Sequence, residues 1–370
     1  MLFIHNDVVQ EVLTMAECIS SQEEAFLGLV NGDSVHRGRI DVMVPCERDD
    51  GYYRWGTMEG ASKTLGVFAI RMKSDIVYWP TDDAGGRTEE KYCIEPGTFC
   101  GLVFLFSTRN GEPLAMINDG HLQHMRVGGG AGLGVKYLSR EDSHTVGMIG
   151  SGGMARTYLE AFCCVRDIRK VKVYSPTKAN REAYAAEMSQ KLGLEVEPLD
   201  NPRDVVRGVD IVSTCTDSMV PVIEPDWLEP GQHVTNLSHV ESHPGIIERA
   251  DVVIQQGQST TYVSDDNEGI VGMGKGASMV AFIAGSPEER QRLPQSNPGF
   301  ATVRHFPSFT ALARDASVGR TSPDQITLYH NTGYQGLQFA AVGSVVYREA
   351  VSRGLGRTLP TEWFLQDIRD

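Results

Sequence analysis

The sequence predicts an α/β fold: a doubly wound parallel sheet inserted into a mixed α+β domain. Three observations predict it. From Thr145 to Gln255, short apolar runs alternate with helix-compatible ones, the order of a parallel sheet with crossover helices. That alternation begins at a strand–glycine–helix junction. Ahead of it, apolar runs follow one another through turns, and behind it the chain closes on one long apolar helix.

The junction reads Val146-Gly147-Met148-Ile149-Gly150-Ser151-Gly152-Gly153-Met154-Ala155. It has the form G-x-G-x-x-A between a strand at Thr145–Ile149 and a helix at Met154–Val165, with a second strand at Arg169–Tyr174. This is the Rossmann-type arrangement for a dinucleotide. Gly150 permits the tight turn and Gly152 clears room for a pyrophosphate. Ala155 lets the helix lie close on the strand, and the pyrophosphate sits on free N–H groups at the helix N-terminus. The expected cofactor contacts are Gly150, Ser151, Gly152, Gly153, Met154 and Ala155, joined by Thr214 at the end of a later strand. A helix at 179–192 and strands near 209–214, 233–238 and 251–255 complete the sheet.

An acidic side chain after the second strand would bind the ribose of NAD. Here that position reads Tyr174-Ser175-Pro176-Thr177-Lys178-Ala179-Asn180-Arg181, without an acid. Ser175, Thr177, Lys178 and Arg181 offer the hydroxyls and cations that suit a 2′-phosphate. NADP(H) is therefore preferred, with NAD(H) possible. The competing reading has Ser175 and Thr177 capping the next helix and the two cations solvated.

In the first part of the chain, Asp7–Val30 is amphipathic, with a capping box at Thr14-Met15-Ala16-Glu17. Leu65–Ile70, Ile76–Trp79 and Gly101–Ser107 read as strands. Arg109-Asn110-Gly111-Glu112 is a hairpin turn leading to a return strand at Pro113–Asn118. Residues 80–96 read as an exposed loop, and His121–Leu138 as a helix despite Gly128-Gly129-Gly130. The stretch 257–278 is irregular, 287–299 is a polar surface excursion, and Ile326–Ala350 is a strand, a glycine turn and a helix. The implied division is 131–324 for the nucleotide domain. Residues 1–130 plus 325–370 then form the remaining domain.

The bulk numbers bound the function. A chain of 370 residues with 41% hydrophobic and 22% charged content is a soluble globular type. Its net charge of −14 argues against nucleic acid. No apolar run reaches membrane-span length, and Met1 to Asp7 lacks the basic start of a signal peptide. Seven irregularly spaced cysteines suit reduced thiols in the cytoplasm. Cys93 and Cys100 read as free thiols rather than a disulfide or metal pair.

The chain resembles the ornithine cyclodeaminase/mu-crystallin family of NAD(P)-dependent proteins. Gly32 to Arg39, the Met58–Arg71 spacing, Asp119 to Arg126, Gly150 to Ala155 and Tyr174 to Lys178 carry the resemblance. So do Pro230-Gly231-Gln232-His233-Val234 and Gly319 to Tyr329. The resemblance implies that the domain outside the nucleotide-binding one holds substrate and makes a homodimer. It also carries a substrate-carboxylate role onto Arg39 and Arg126, which fits the two parallel hydrogen bonds of a guanidinium. Arg37 competes with Arg39 for that role.

The family's active-site lysine aligns with Arg71. On a strand, Lys73 would share its face and could supply the ammonium instead. Lysine is tunable as an acid or base and arginine is not, so Lys73 is the expected proton donor and Arg71 an anion binder. A solvated basic pair is the plainer alternative. The aspartate used by the family's cyclodeaminases falls on Val240, with Glu241 or His239 as substitutes. His239, Glu241 and His243 alternate, but no metal site is expected there. His121 and His124 read as pocket or capping residues. The expected activity is an NADP(H)-dependent oxidoreductase that reduces an imino or ketimine acid to an amino acid, or the reverse. The alternatives are an ornithine-type cyclodeaminase retaining NAD(H) and a non-catalytic, NADPH-binding, crystallin-like protein.

Overall fold

The computed structural model describes residues 1–81, 88–238, 241–257, 280–293 and 306–368. The fold is α/β, with a mixed sheet and a parallel sheet. β1 (Leu2–Ile4) and α1 (Asn6–Val12) lead to α2 (Met15–Asn31). The capping box forms: Glu17 N donates to Thr14 Oγ1 at 3.3 Å, and Thr14 N donates back to Glu17 Oε2 at 3.2 Å. Gly32, at φ 79°, ends the helix.

Three twelve-residue antiparallel strands follow: β2 (Ser34–Pro45), β3 (Gly51–Ser62) and β4 (Val67–Tyr78). The apolar pattern predicts two strands, at 65–70 and 76–79, where β4 is one. Its centre, Arg71-Met72-Lys73-Ser74-Asp75, breaks the apolar alternation because three of its inward positions are charged and buried. β5 (Glu90–Tyr92) pairs with the end of β4, inside the stretch expected to be loop. β6 (Cys100–Ser107) and β7 (Pro113–Asn118) form the expected hairpin, with Gly111 N donating to Ser107 O at 3.0 Å. α3 (Gly120–Leu138) runs without interruption through the three glycines. They are close-approach points: a Cβ on Gly128 would lie 2.6 Å from the Thr157 carbonyl oxygen of the next helix.

The parallel sheet then builds in order. Its first elements are β8 (Thr145–Ile149), α4 (Gly153–Val165), β9 (Lys170–Tyr174), α5 (Lys178–Leu192) and β10 (Glu195–Pro198). α6 (Pro202–Val206), β11 (Ile211–Thr214), β12 (His233–Asn236), α7 (Gly245–Arg249) and β13 (Val252–Gln255) continue it. β14 (Val280–Ile283), α8 (Pro287–Arg290) and α9 (Phe309–Arg314) precede β15 (Thr327–His330). The chain closes with α10 (Gln335–Arg353) and β16 (Arg357–Thr358). The strand order is β10-β9-β8-β11-β12-β15-β13. It reverses direction between β8 and β11, and a crevice at that switch point is where such sheets bind ligands.

The mixed sheet runs β14-β2-β3-β4-β6-β7-β1-β16. The chain therefore crosses between sheets more often than two boundaries allow. β14 lies inside the expected nucleotide segment yet pairs with β2, and β15 lies after residue 325 yet pairs with β12 and β13. Each is a four-residue strand, too short to reveal its sheet by pattern.

α10 packs across the inner face of the mixed sheet. A Cβ on Gly336 would overlap the backbone of Glu59, so helix and strand meet backbone to backbone. Ala69, Val103, Leu105, Leu337, Phe339 and Val342 form the core beneath. Each large side chain buried there contributes about 1.5–3 kcal/mol. The expected irregular stretch at 257–278 lies almost wholly outside the described residues, as does most of the excursion at 287–299 beyond α8. Among the described residues, no helix is long and apolar enough to cross a membrane.

Candidate active site

The inner face of the mixed sheet changes character along β4. Val67 and Ala69 face α10 in the apolar core, and then Arg71, Lys73 and Asp75 occupy the next inward positions, all buried. Arg71 and Lys73 thus share one face. Across the sheet, Lys73 lies in a row Asp41–Gly56–Lys73–Gly101. The two glycines that flank it leave room for charged neighbours. A Cβ on Gly56 would lie 2.5 Å from Asp41 Oδ1 and 2.8 Å from Lys73 Cε, and one on Gly101 would overlap the Asp119 carboxylate.

Each cation meets a carboxylate, with one exception. Lys73 Nζ lies 3.3 Å from Asp75 Oδ2. Arg54, on β3 opposite Asp75, donates to both its oxygens at 3.0 Å and to Glu89 at 3.2 Å. Arg39 clamps Asp41 through two bonds of 2.8 Å. Arg71 Nε donates to Asp119 Oδ2 at 2.6 Å. The exception is Arg126 on α3. Its guanidinium donates to Gln123 at 2.9 and 3.2 Å and to Gln338 of α10 at 2.9 Å, all neutral amide oxygens. Among the described residues it pairs with no carboxylate. Arg71 and Arg126 lie 5.6 and 5.0 Å from the Phe339 ring centroid, which places them on one site.

Burial dominates the electrostatics. It pushes the Lys73 ammonium well below lysine's usual pKa; Arg39 and Arg54 add to the effect, while Asp75 and Asp41 oppose it. Burial also pushes Arg126 down to about 9, with Arg71 adding to the shift. For Asp75 burial works the other way, but Arg54 outweighs it and holds the carboxyl below its usual range.

The bulge in β2 settles which arginine enters. The β2–β3 register shifts between Arg37 and Ile40, so Arg37 turns outward to Glu59 while Arg39 turns in to Asp41. Sequence reasoning missed Asp41, Arg54, Asp75 and Asp119. A signal was present for two of them: Arg39-x-Asp41 and Lys73-x-Asp75 place opposite charges on one face of a strand.

The glycine turn leaves β8 at the switch point. Gly150 has φ 112°, and a Cβ there would overlap the Cys215 carbonyl oxygen beyond β11. Gly152 is the α4 N-cap, without a side-chain cap, and a Cβ on it would meet nothing within 4 Å. Free N–H groups beside open room fit a dinucleotide pyrophosphate. Ser151, Gly153 and Met154 line the turn, and buried Ala155 faces the sheet. His124 of α3 lies against the turn, 3.2 Å from a Cβ position on Gly153. α3 therefore links the turn to the cation cluster through His124 and Arg126.

At the end of β9 the four expected contacts separate. Thr177 and Lys178 are exposed, and Lys178 lies 3.7 Å from Glu182. Ser175 is buried, its hydroxyl donating to Thr177 O at 3.3 Å. Thr177 does not cap α5 through its side chain. Arg181 turns back into the protein, donating to Ser175 O at 2.9 Å and pairing with Asp200. Its guanidinium braces the turn rather than extending beside Thr177 and Lys178. Thr214 is buried at the end of β11.

Comparison with known proteins decides the family. The model of the ornithine cyclodeaminase/mu-crystallin family matches residues 93–354. The chain belongs to this family. A Delta(1)-pyrroline-2-carboxylate reductase of Bacillus cereus is 26% identical over 269 residues, 71% of this chain and 74% of the relative. Among solved structures, Thermococcus litoralis Delta(1)-pyrroline-2-carboxylate reductase in complex with NADH and L-proline matches at a TM-score of 0.72. It is 24% identical, covering 97% of this chain and 100% of that one. An archaeal alanine dehydrogenase dimer with bound NAD also matches at 0.72, with 20% identity, 97% of this chain and 99% of that one.

This family member is an NAD(P)-dependent enzyme of the oxidoreductase type. The position of the family's cyclodeaminase aspartate, Val240, lies outside the described residues, as does His239. Glu241 is fully buried. It accepts from Thr216 Oγ1 at 2.7 Å, Ser238 N at 2.8 Å and Thr214 Oγ1 at 3.4 Å. These bonds tie the ends of β11 and β12 together. Cys93 and Cys100 are both free thiols. His121 N donates to Asn6 Oδ1 at 2.7 Å, which fixes the start of α3 to α1.

Proposed function

We propose that this enzyme reduces the C=N bond of an imino or ketimine acid to the amino acid, or runs the reverse oxidation, with NADP(H) preferred over NAD(H). The observation that carries the reading is Arg126: a buried guanidinium bonded only to neutral oxygens among the described residues. A substrate carboxylate completes its charge and accepts its remaining donors. Arg39 and Arg71, already balanced by Asp41 and Asp119, hold the substrate's polar edge without adding net charge. Lys73 donates the proton to the imine nitrogen, and its lowered affinity for that proton favours the transfer. The bound reduced nicotinamide supplies the hydride. The B. cereus relative's name and the L-proline in the T. litoralis complex support this substrate class.

The cofactor preference rests on the end of β9, where no acid stands and Lys178 is exposed. Both neighbouring structures carry NAD or NADH, so direct comparison of NADPH with NADH is the deciding measurement. Ring-closing deamination is disfavoured because it needs a carboxylate base, and Glu241 is engaged by Thr214, Thr216 and Ser238.

The residues before Gly130, together with α10 and β16, form the substrate and dimerisation unit in this reading. The outward face of its sheet carries Trp55, Ile70, Met72, Ile76, Leu102 and Phe104, all half-buried, a face suited to a second copy. The test of the activity is a cyclic imino acid with NADPH. Oxidation of the cofactor matched to amino acid formed is expected. Ammonia release with no net cofactor change, or tight NADPH binding with no turnover of any imine, would overturn the proposal.

A further inference from the structure

We propose that Asp75 is the positioning residue for Lys73, and that Arg54 and Asp75 act on its ammonium with opposite sign. This rests on the reading of Lys73 as proton donor. In this chain the family's lysine position holds Arg71, and the amine stands two residues later. The displaced amine has a fixed counter-ion. Asp75 lies two positions further on the same face, 3.3 Å from Nζ. It is not free to follow the lysine, because Arg54 grips both its oxygens at 3.0 Å across β3–β4, and Glu89 steadies Arg54 from the far side.

The result is a buried chain Glu89–Arg54–Asp75–Lys73. Its lysine end lies between Gly56 and Gly101, whose missing side chains leave room for the Asp41 and Asp119 carboxylates. An ammonium tethered on one side by a rigid carboxylate presents its remaining protons in a fixed direction, which orients a general acid.

The charged groups facing Lys73, among the described residues, are as follows. β2 contributes Arg39 and Asp41, β3 contributes Arg54, and β4 itself contributes Asp75, with Arg71 beside it. Asp119 stands before α3, Glu89 precedes β5 and Lys91 lies within it. Arg39 and Arg54 disfavour the protonated amine, and Asp75 and Asp41 favour it. A general acid works while protonated, so the rate falls as pH rises through the lysine's titration. Removing Asp75 moves that fall to lower pH, and removing Arg54 moves it to higher pH.

The experiment compares wild type with Asp75→Asn and Arg54→Gln, reading kcat/KM for imine reduction against pH. The expected shifts are about one pH unit or more, downward for Asp75→Asn and upward for Arg54→Gln. Asp75→Glu is expected to return the fall toward its wild-type position. Loss of rate with no movement of the profile, or movement of both variants in one direction, would overturn the inference. Such results would leave Asp75 and Arg54 as structural groups only. If Arg54→Gln does not fold, Arg39→Gln, which removes the other arginine that disfavours the protonated amine, replaces it, with an upward shift expected.

A second readout is independent of turnover. Acetylation of Lys73 by acetic anhydride is followed across pH by peptide mass spectrometry. If no imine is reduced, the functional reading fails. The labelling midpoint still decides this point: it must fall in Asp75→Asn, and an unmoved midpoint refutes the pairing.

Discussion

Replacing Arg126 with methionine should cost the enzyme its substrate but not its fold. Methionine keeps much of the length of the side chain and removes its charge. Burial pushes the guanidinium well down, to about 9, so holding its charge inside the protein costs on the order of several kcal/mol. Against this, the substitution orphans the oxygens of Gln123 and Gln338, at roughly 1–3 kcal/mol each. The two figures nearly cancel, so the thermal midpoint of the free protein should stay within a few degrees of wild type or rise. Catalysis should not be spared. Losing a desolvated charge-assisted pair with a carboxylate costs about 2–5 kcal/mol, or roughly thirty- to several-thousand-fold in kcat/KM. The assay pairs differential scanning calorimetry with imine-reduction kinetics. It adds a ligand arm: the product amino acid should raise the midpoint of wild type but not of Arg126→Met. A variant that unfolds well below wild type would refute the reasoning, since Arg126 would then be a structural cation. Undiminished kcat/KM would refute it from the other side.

Two glycines of the nucleotide turn should separate stability from binding. Gly152→Val places a side chain in open room at φ −82°, so the fold should tolerate it while dinucleotide affinity falls by roughly a hundredfold or more, read by fluorescence titration. Gly150→Ala should instead destabilise the protein by several kcal/mol in denaturant unfolding, because its φ is 112° and the Cβ meets Cys215. His233 should make stability depend on acid. Burial, helped by Arg320 and Arg166, pushes its pKa down to about 3, below the unfolded value of about 6.5. The unfolded chain therefore binds the proton first. Stability is lost as pH falls through the window from 6.5 toward 3, by up to about 5 kcal/mol, and His233→Asn should flatten the difference between urea midpoints at pH 7 and pH 4. Ser175→Asp should shift the NADPH-to-NADH ratio of kcat/KM toward NADH, and an unchanged ratio would sink the 2′-phosphate reading. Phe104→Asp on the outer sheet face should turn a dimer into a monomer in sedimentation velocity.

The parallel half of the fold is legible because its chemistry is local. Thr145–Ile149, the glycine turn and the helix after it need only propensity and spacing, and they form where those signals place them. The mixed sheet is less so. β2 and β3 are long strands whose inward positions include Arg39, Asp41, Arg54 and Gly56, and a strand that buries charge reads as loop to any hydrophobic pattern. β14 and β15 escape for another reason. Four residues hold too little pattern to say which sheet they join, and only the pairing registers decide it.

The same physics explains why the cations of the site stand out in the sequence and their partners do not. A guanidinium or ammonium beside a glycine or on a strand suggests an anion by its chemistry alone, which singles out Arg39, Arg71, Lys73 and Arg126. Asp41, Asp75 and Asp119 have no such signature, because an acid is ordinarily solvated. Their meaning depends on which cation the fold brings opposite. Once paired, they change what the cations can do. Arg39 and Arg71 arrive already neutralised, Arg126 does not, and Lys73 sits between two carboxylates and two arginines. In the proposed function these four basic residues divide into one anion receptor, one proton donor and two balanced cations that hold the substrate's polar edge. Residue type sets the lysine apart, and electrostatic balance separates the three arginines.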